Sequence, residues 1–239
     1  AWRATWLTVR DNVFSAPQYW ITPDRVEITP PPKWIHANIR EEAFRDAGLD
    51  QPLSILDQDL VERIAKAFSF HPWVAEVRRV RKRHPAGLEV ELVYRRPVCM
   101  VDVSNGMLPV DIEGVLLPVA DFLPPVEIKH YPRLRGVETT PTSPGTRWRD
   151  VRVVDGAEIA AAFGALWQEL RLDHIQPYVD PNSESAGDYS YNLFTGNGSR
   201  IHWGRAPGNA VPGEASASDK IALLQAYFQT HGTLDGPSK

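Results

Sequence analysis

Between His71 and Pro97 the chain reads HPWVAEVRRVRKRHPAGLEVELVYRRP. Leu88, Val90, Leu92 and Tyr94 alternate with Glu89, Glu91, Val93 and Arg95, the period of two that marks a strand with one buried face. His84-Pro85-Ala86-Gly87 supplies a tight turn, proline setting φ and glycine free to take a positive one. Ahead of the turn, Val74, Val77 and Val80 recur every third residue. A regular strand cannot hold that spacing on one face, so this strand is expected to be bulged. The run from Asp57 to Phe68 has helical spacing, which gives a helix–strand–turn–strand unit. It carries no recognisable catalytic motif, and this tilts the reading toward binding.

Working back toward the N-terminus, Arg25-Val26-Glu27-Ile28-Thr29 is a short alternating strand. It is stopped by Pro30-Pro31-Pro32, which cannot donate to a sheet ladder. Asn38 with Glu41 three residues on forms a capping box, and Gly48 closes that helix over an inward stripe of Ala43, Phe44 and Ala47. Asp57 is the expected cap of the second helix, with Leu60, Val61, Ile64, Ala67 and Phe68 facing inward. The order is then strand, helix, helix, strand, strand. Both helices can cover one face of a three-stranded sheet, an α+β arrangement. Residues 1–23, with Trp2, Trp6, Tyr19 and Trp20 among polar neighbours, show no period and read as an irregular lead-in. Its aromatics suit either a membrane interface or docking onto the domain.

Beyond Pro97 the texture changes to short strands and turns. Val98 to Val103 and Leu108 to Asp111 flank Ser104-Asn105-Gly106, a hairpin signal. Glu113-Gly114 turns the chain into Val115-Leu116-Leu117, and the proline-bearing stretch 118–150 reads as loop with an ordered crossing from Tyr131 to Gly136. A loop of that length is either functional or an insertion. Asp155, with Glu158 in the reciprocal position, is the expected cap of a long helix lined by Ile159, Phe163, Leu166, Trp167 and Leu170. A strand is expected over Ile175 to Val179, then a second hairpin from Tyr189–Phe194 and Arg200–Trp203 around Thr195–Ser199. Ser218 is the expected cap of a last helix with Ile221, Leu224, Ala226, Tyr227 and Phe228 along its apolar side, closed by His231-Gly232.

The bulk composition narrows the function class. With 43% hydrophobic and 23% charged residues in 239, the chain is a globular protein with room for one large domain or two ordinary ones. A net charge of −4 argues against bulk nucleic-acid affinity. A single cysteine, Cys99, excludes an internal disulfide and a multi-cysteine metal cluster, and it reads as packing rather than as a nucleophile. The seven histidines lack metal-ligand spacing; His71 and His84 each precede a proline, as turn residues do. Asp111 and Glu113 sit in a turn and read as local acceptors rather than an acid–base pair. Nucleophile-elbow, zinc-protease, phosphate-loop and dinucleotide fingerprints are all absent, so no cofactor is expected. A wall hydrolase with Ser, His and Asp far apart in sequence is the enzyme alternative, since triads are recognised by geometry. Arg78, Arg79, Arg81, Lys82 and Arg83 form a basic cluster that suits an acidic partner or an anionic lipid surface, or else the solvated face of a strand pair. No run approaches the ~20 apolar residues of a membrane span. The chain opens at Ala1 rather than Met, as a piece of a longer protein would.

One ordered set of short motifs goes further. It comprises Val26–Ile28, Leu53-Ser54-Ile55-Leu56-Asp57, His71-Pro72-Trp73-Val74, Arg83-His84-Pro85 with Leu88-Glu89-Val90, and Tyr94-Arg95-Arg96-Pro97. It continues with Val110-Asp111-Ile112-Glu113-Gly114-Val115, Pro132-Arg133-Leu134-Arg135-Gly136, and the Arg200–Arg205 strand followed by Lys220-Ile221-Ala222-Leu223-Leu224. Together these resemble the extracytoplasmic part of the FtsQ/DivIB family of bacterial cell-division proteins. The resemblance implies a membrane-proximal lead-in over 1–23 and a POTRA domain over 24–97, a three-stranded sheet with two helices. It further implies a mixed, mainly antiparallel β domain with two helices over 98–239. It also implies a single N-terminal transmembrane helix outside this chain, placing residues 1–239 on the periplasmic side of the inner membrane. The family acts as a non-enzymatic scaffold that binds the FtsB and FtsL division proteins. Binding is by strand addition at an open sheet edge. The terminal strand that offers this edge in the family has no counterpart before Lys239. The nearest candidates for partner binding are therefore Ile201 and Trp203, with Tyr227 and Phe228 on the adjacent helix; the competing reading makes all four core. A POTRA-bearing secretion or outer-membrane assembly factor is the alternative class, although only one POTRA-like copy and no barrel pattern are present.

Overall fold

Leu88, Val90 and Leu92 are all buried, and the strand that carries them is the axis of the first half of the molecule. The computed structural model describes residues 19–84, 86–122, 128–179 and 188–236. The chain divides into two compact units, Ala1–Arg95 and Arg96–Lys239.

In the first unit, β1 (Trp20–Ile21), β2 (Val26–Ile28), α1 (Ile39–Asp46), β3 (Leu53–Ser54), α2 (Leu60–Ser69), β4 (Val74–Arg83) and β5 (Gly87–Tyr94) follow in order. β5 lies between β2, its parallel neighbour, and β4, its antiparallel one. The β4–β5 register slips between Val74 and Glu76 and again between Val77 and Arg79. Each slip inserts one residue, which is how a three-residue valine repeat keeps to one side of a strand. Asn38 caps α1 as its sequence indicates, its side chain accepting from the Glu41 backbone N–H at 3.4 Å. Ile39, Ala43 and Phe44 of α1 and Leu60, Ile64, Ala67 and Phe68 of α2 are buried, and the Phe44 and Phe68 rings meet edge to face 6.1 Å apart.

Two expectations fail here. Asp57 does not cap α2; that helix starts at Leu60 after Asp59, and Asp57 instead stands 3.8 Å from Arg63 while its carbonyl accepts from Lys82. Tyr19 to Ile21 are not an irregular lead-in. β1 pairs antiparallel with β3, Trp20 opposite Ser54, and the Tyr19 carbonyl accepts from Ile55 N–H at 2.8 Å. Two-residue strands are too short to carry a period. Trp2 and Trp6 lie outside the described residues.

The second unit is built on a mixed six-stranded sheet. Its strands are β6 (Cys99–Val103), β7 (Gly106–Val110), β8 (Arg133–Leu134), β9 (Leu172–Val179), β10 (Tyr189–Thr195) and β11 (Arg200–Gly204), arranged β11-β10-β9-β8-β6-β7. The Tyr131–Gly136 crossing supplies β8, which runs parallel to both β6 and β9 in the middle of the sheet. The other pairs are antiparallel. Among the described residues of this unit are the α-helices α3 (Val151–Phe163), α4 (Leu166–Glu169) and α5 (Ala217–His231). Val101, Leu134, Ile175, Tyr191 and Leu193 from the sheet and Val153, Ala157, Ala160 and Phe163 from α3 share one core.

Asp155 does not cap the long helix. Asp150 does, accepting from the Arg152 N–H at 3.0 Å, and Asp155 lies a turn inside, buried. The Asp155/Glu158 pair imitates a capping box, but its carboxylates reach elsewhere. Asp155 accepts from the Tyr191 hydroxyl and the Asn209 side chain, both at 2.9 Å, and Glu158 accepts from Gly208 N–H at 2.8 Å. The helix also ends earlier than its apolar spacing suggests, because Gly164 takes φ +51 and separates α3 from α4. α5 is capped by Ser216, not Ser218; Ser216 accepts from Asp219 N–H at 3.2 Å. The chain is therefore α+β throughout its described residues.

Candidate partner-binding site

β11 forms one border of the six-stranded sheet. On its inner side Leu193 faces Ile201, Asn192 faces His202 and Phe194 faces Arg200. Thr195 N–H bonds to the Ser199 carbonyl at 3.0 Å at the base of the hairpin. Antiparallel ladders alternate bonded and non-bonded pairs, so the backbone groups of Ile201 turn toward β10 while those of Arg200 and His202 turn outward. Among the described residues no strand covers that outer rim.

Trp203 is the extra residue where the register slips between Tyr191 and Asn192. The bulge sends its indole inward. It is 4% exposed, its ring lies 5.2 Å from Phe163, and its Nε1 is buried with no acceptor among the described residues. Lys220 of α5 stands 4.9 Å over the same ring and bonds to Glu214 Oε1 at 2.5 Å. Burial opposes ionisation of Glu214, but Lys220 and the Arg205 N–H hold its carboxyl below the usual range. Gly204 has φ +90, and a side chain there would run into that carboxylate. Asp188 fixes Arg205 at 2.9 Å. The contacts of Trp203, Gly204 and Arg205 anchor this end of β11.

α5 rests on the core through Ile221, Leu224 and Phe228, and Arg171 stacks 5.9 Å from the Phe228 ring. Its other side is apolar too. Leu223 is 71% exposed and Tyr227, one turn on, 41% exposed; Tyr227 stacks with His231 at 4.1 Å. At the other end of β11, Asp235 closes the hairpin, accepting from Thr195 at 2.5 Å and Asn197 at 2.6 Å. Those donors and Thr233 hold the Asp235 pKa to about 2.

Of the four residues named from sequence, the structure puts Trp203 in the core, Ile201 and Phe228 half-buried against it, and only Tyr227 in solvent. Leu223 was not legible as a site residue, although it stands one helical turn from Tyr227 on the same face. The basic cluster is spent on local partners. Arg79, Arg81 and Arg83 face Glu91, Glu89 and Glu27 across the sheet, Arg78 stands 3.7 Å from Glu76, and Lys82 Nζ donates to the Ile55 and Asp57 carbonyls at 2.6 and 2.7 Å.

Of the residues weighed for catalysis, Asp111, Cys99 and His71 each contact neighbours within the fold. Asp111 accepts from Glu113 and Val115 N–H within its turn. Cys99 is fully buried, which pushes its thiol well above the usual range. His71 is buried between Glu42, 3.1 Å away, and the Trp73 N–H, while His174 stacks on Phe194 at 4.5 Å. Among the described residues no three His, Cys, Asp or Glu side chains group to hold a metal ion, and no helix is long and apolar enough to cross a membrane.

No protein-family model matches the chain. A curated relative does: the cell division protein FtsQ of Anaeromyxobacter sp. (strain K) is 27% identical over 179 residues, which cover 70% of this chain and 57% of the relative. The chain is FtsQ-like. The ordered motifs that suggested an FtsQ/DivIB resemblance thus have a counterpart in an independent comparison. This FtsQ-like chain spans a little over half the length of the protein it matches.

Proposed function

We propose that this chain is the extracytoplasmic part of a cell-division protein and that it works as a non-enzymatic scaffold. In this reading the first unit is a POTRA domain and the second the β domain of the FtsQ type. An N-terminal membrane helix belonging to the longer protein tethers both to the periplasmic face of the inner membrane. The partners are division proteins of the FtsB and FtsL type. An extended partner segment adds to the outer rim of β11, its backbone bonding to Arg200 and His202 while its apolar side chains reach the Leu223–Tyr227 stripe of α5.

The observation that supports this best is the rim of β11, uncovered among the described residues, together with the exposed Leu223 and Tyr227 on α5, the helix whose Lys220 stands over Trp203 of β11. Main-chain bonds supply affinity and the stripe supplies selectivity. His202→Pro removes one outward N–H and leaves the inner ladder intact, as proline is tolerated only on such a rim. In a titration with a soluble fragment of the FtsB-type partner, His202→Pro and Leu223→Glu should each weaken binding about tenfold or more, the cost of roughly one charge-free hydrogen bond or one buried leucine. Unchanged affinity in both variants would remove β11 from the account.

A further inference from the structure

The same sheet has a second outer rim, formed by a segment that carries no strand signal in the sequence. Beyond β7 the chain turns at Asp111–Gly114 and comes back as Val115–Leu117, with Val110 bridged to Leu116. The stretch Gly145–Arg149 then lies against this return, bridged through Val115 and Arg147. Leu116 N–H bonds to the Thr146 carbonyl at 3.0 Å and Trp148 N–H to the Gly114 carbonyl at 2.8 Å. These bonds flank the Val115–Arg147 pair, so the backbone N–H and C=O of Arg147 point away from the sheet, and the Arg149 N–H follows by alternation. Among the described residues nothing bonds to them.

The surroundings leave room for another strand. One open groove of about 750 Å³ runs along Thr146–Val151 on the side of α3, and a second of about 740 Å³ on the side of Thr139–Thr142 and Tyr189. Trp148 anchors the segment from below, 3% exposed, its indole N–H donating to the Thr139 hydroxyl at 3.1 Å. In the second groove the one carboxylate among the described lining residues, Asp150, is taken by Arg152 at 2.6 Å and by Thr139 at 3.1 Å. Arg147 and Arg149 are exposed and two residues apart, hence on one face, and neither forms an ion pair among the described residues. Arg147 gives only its Nε–H, to the Glu113 carbonyl at 3.1 Å. The first groove is lined by the same Asp150 and by Asp155 and Glu158, and these last two are engaged by Tyr191, Asn209 and Gly208.

We infer that Gly145–Arg149 is a second strand-addition edge, and that it takes an extended acidic peptide segment of another protein. Backbone bonds form at Arg147 and Arg149, and carboxylates at alternate positions of the incoming strand meet the two guanidinium groups. Alternate acidic residues match the two-residue spacing of the arginines, as cross-strand charge pairs require. This edge is independent of β11.

The test uses the whole chain, isotope-labelled, titrated with a capped seven-residue peptide alternating valine and glutamate and with its valine–lysine counterpart. The glutamate peptide should shift and protect the amides of residues 145–151 and bind about tenfold more tightly than the lysine peptide. Arg147→Glu/Arg149→Glu should invert that preference while leaving the remaining amide shifts in place. Arg147→Pro should abolish binding of both peptides. The inference is overturned if shifts appear only at Arg200–Gly204, if the charge swap leaves the preference unchanged, or if anionic lipid vesicles shift the same amides as strongly as the peptide.

Discussion

Asp155 and Asp235 carry opposite electrostatic signatures. Burial raises the Asp155 carboxyl above its ordinary value of 3.8, against the pull of the Tyr191 and Asn209 donors. The folded chain therefore holds that proton more tightly than the unfolded one, and stability falls as pH rises from 3.8 through the folded pKa. Asp235 is shifted down to about 2 by Thr195, Asn197 and Thr233, so its contribution is complete above 3.8 and is lost as pH falls toward 2. Urea denaturation across this acid range should separate them. Asp155→Asn should gain stability relative to the parent as pH rises, and Asp235→Asn should lose its deficit as pH falls. Tyr191→Phe strips one donor from a buried carboxylate and should cost about 1–3 kcal/mol at neutral pH; a cost near zero would mean that water takes the hydroxyl's place.

At the scale of elements, Gly156 shows packing overruling propensity. A β-carbon there would lie 2.8 Å from the side chain of Leu134, which is fully buried in β8. Alanine ordinarily stabilises a helix by about 1 kcal/mol over glycine, yet Gly156→Ala should destabilise by about 1–3 kcal/mol through overpacking, read from the denaturation midpoint. On β4, Lys82→Ala should cost about 1 kcal/mol because it frees two carbonyls ahead of α2, while Arg78→Ala, an exposed pair, should cost less than about 0.5 kcal/mol. The valine repeat of β4, the Asn38 cap and the second hairpin were legible because each is a local pattern with one physical solution. Other features were not. The Asp155/Glu158 spacing fits a cap, and only the tertiary partners Tyr191 and Gly208 show that it is none. The β1–β3 pair and the Gly145–Arg149 rim are held by neighbours distant in sequence, and Trp203 turned inward because of a bulge that no single strand reveals.

For the molecule as a whole, the sequence identified α+β architecture and an FtsQ-like order of motifs, and it pointed to one strand and one helix as the candidate partner site. The structure shifts emphasis from side chains to backbone. Trp203 and Phe228 belong to the core that β11 and α5 share, and among the described residues the outward backbone groups of β11 are those of Arg200 and His202. If the chain works as proposed, it should tolerate conservative changes in side chains along the rim and fail when a backbone donor is removed. Amide hydrogen exchange on the whole chain, with and without the soluble FtsB-type fragment, tests this most directly. The account predicts that the Arg200 and His202 amides, open in the free protein, become slow in the complex together with protection along Leu223–Tyr227. Tight binding that leaves the exchange of Arg200–Gly204 unchanged would contradict it.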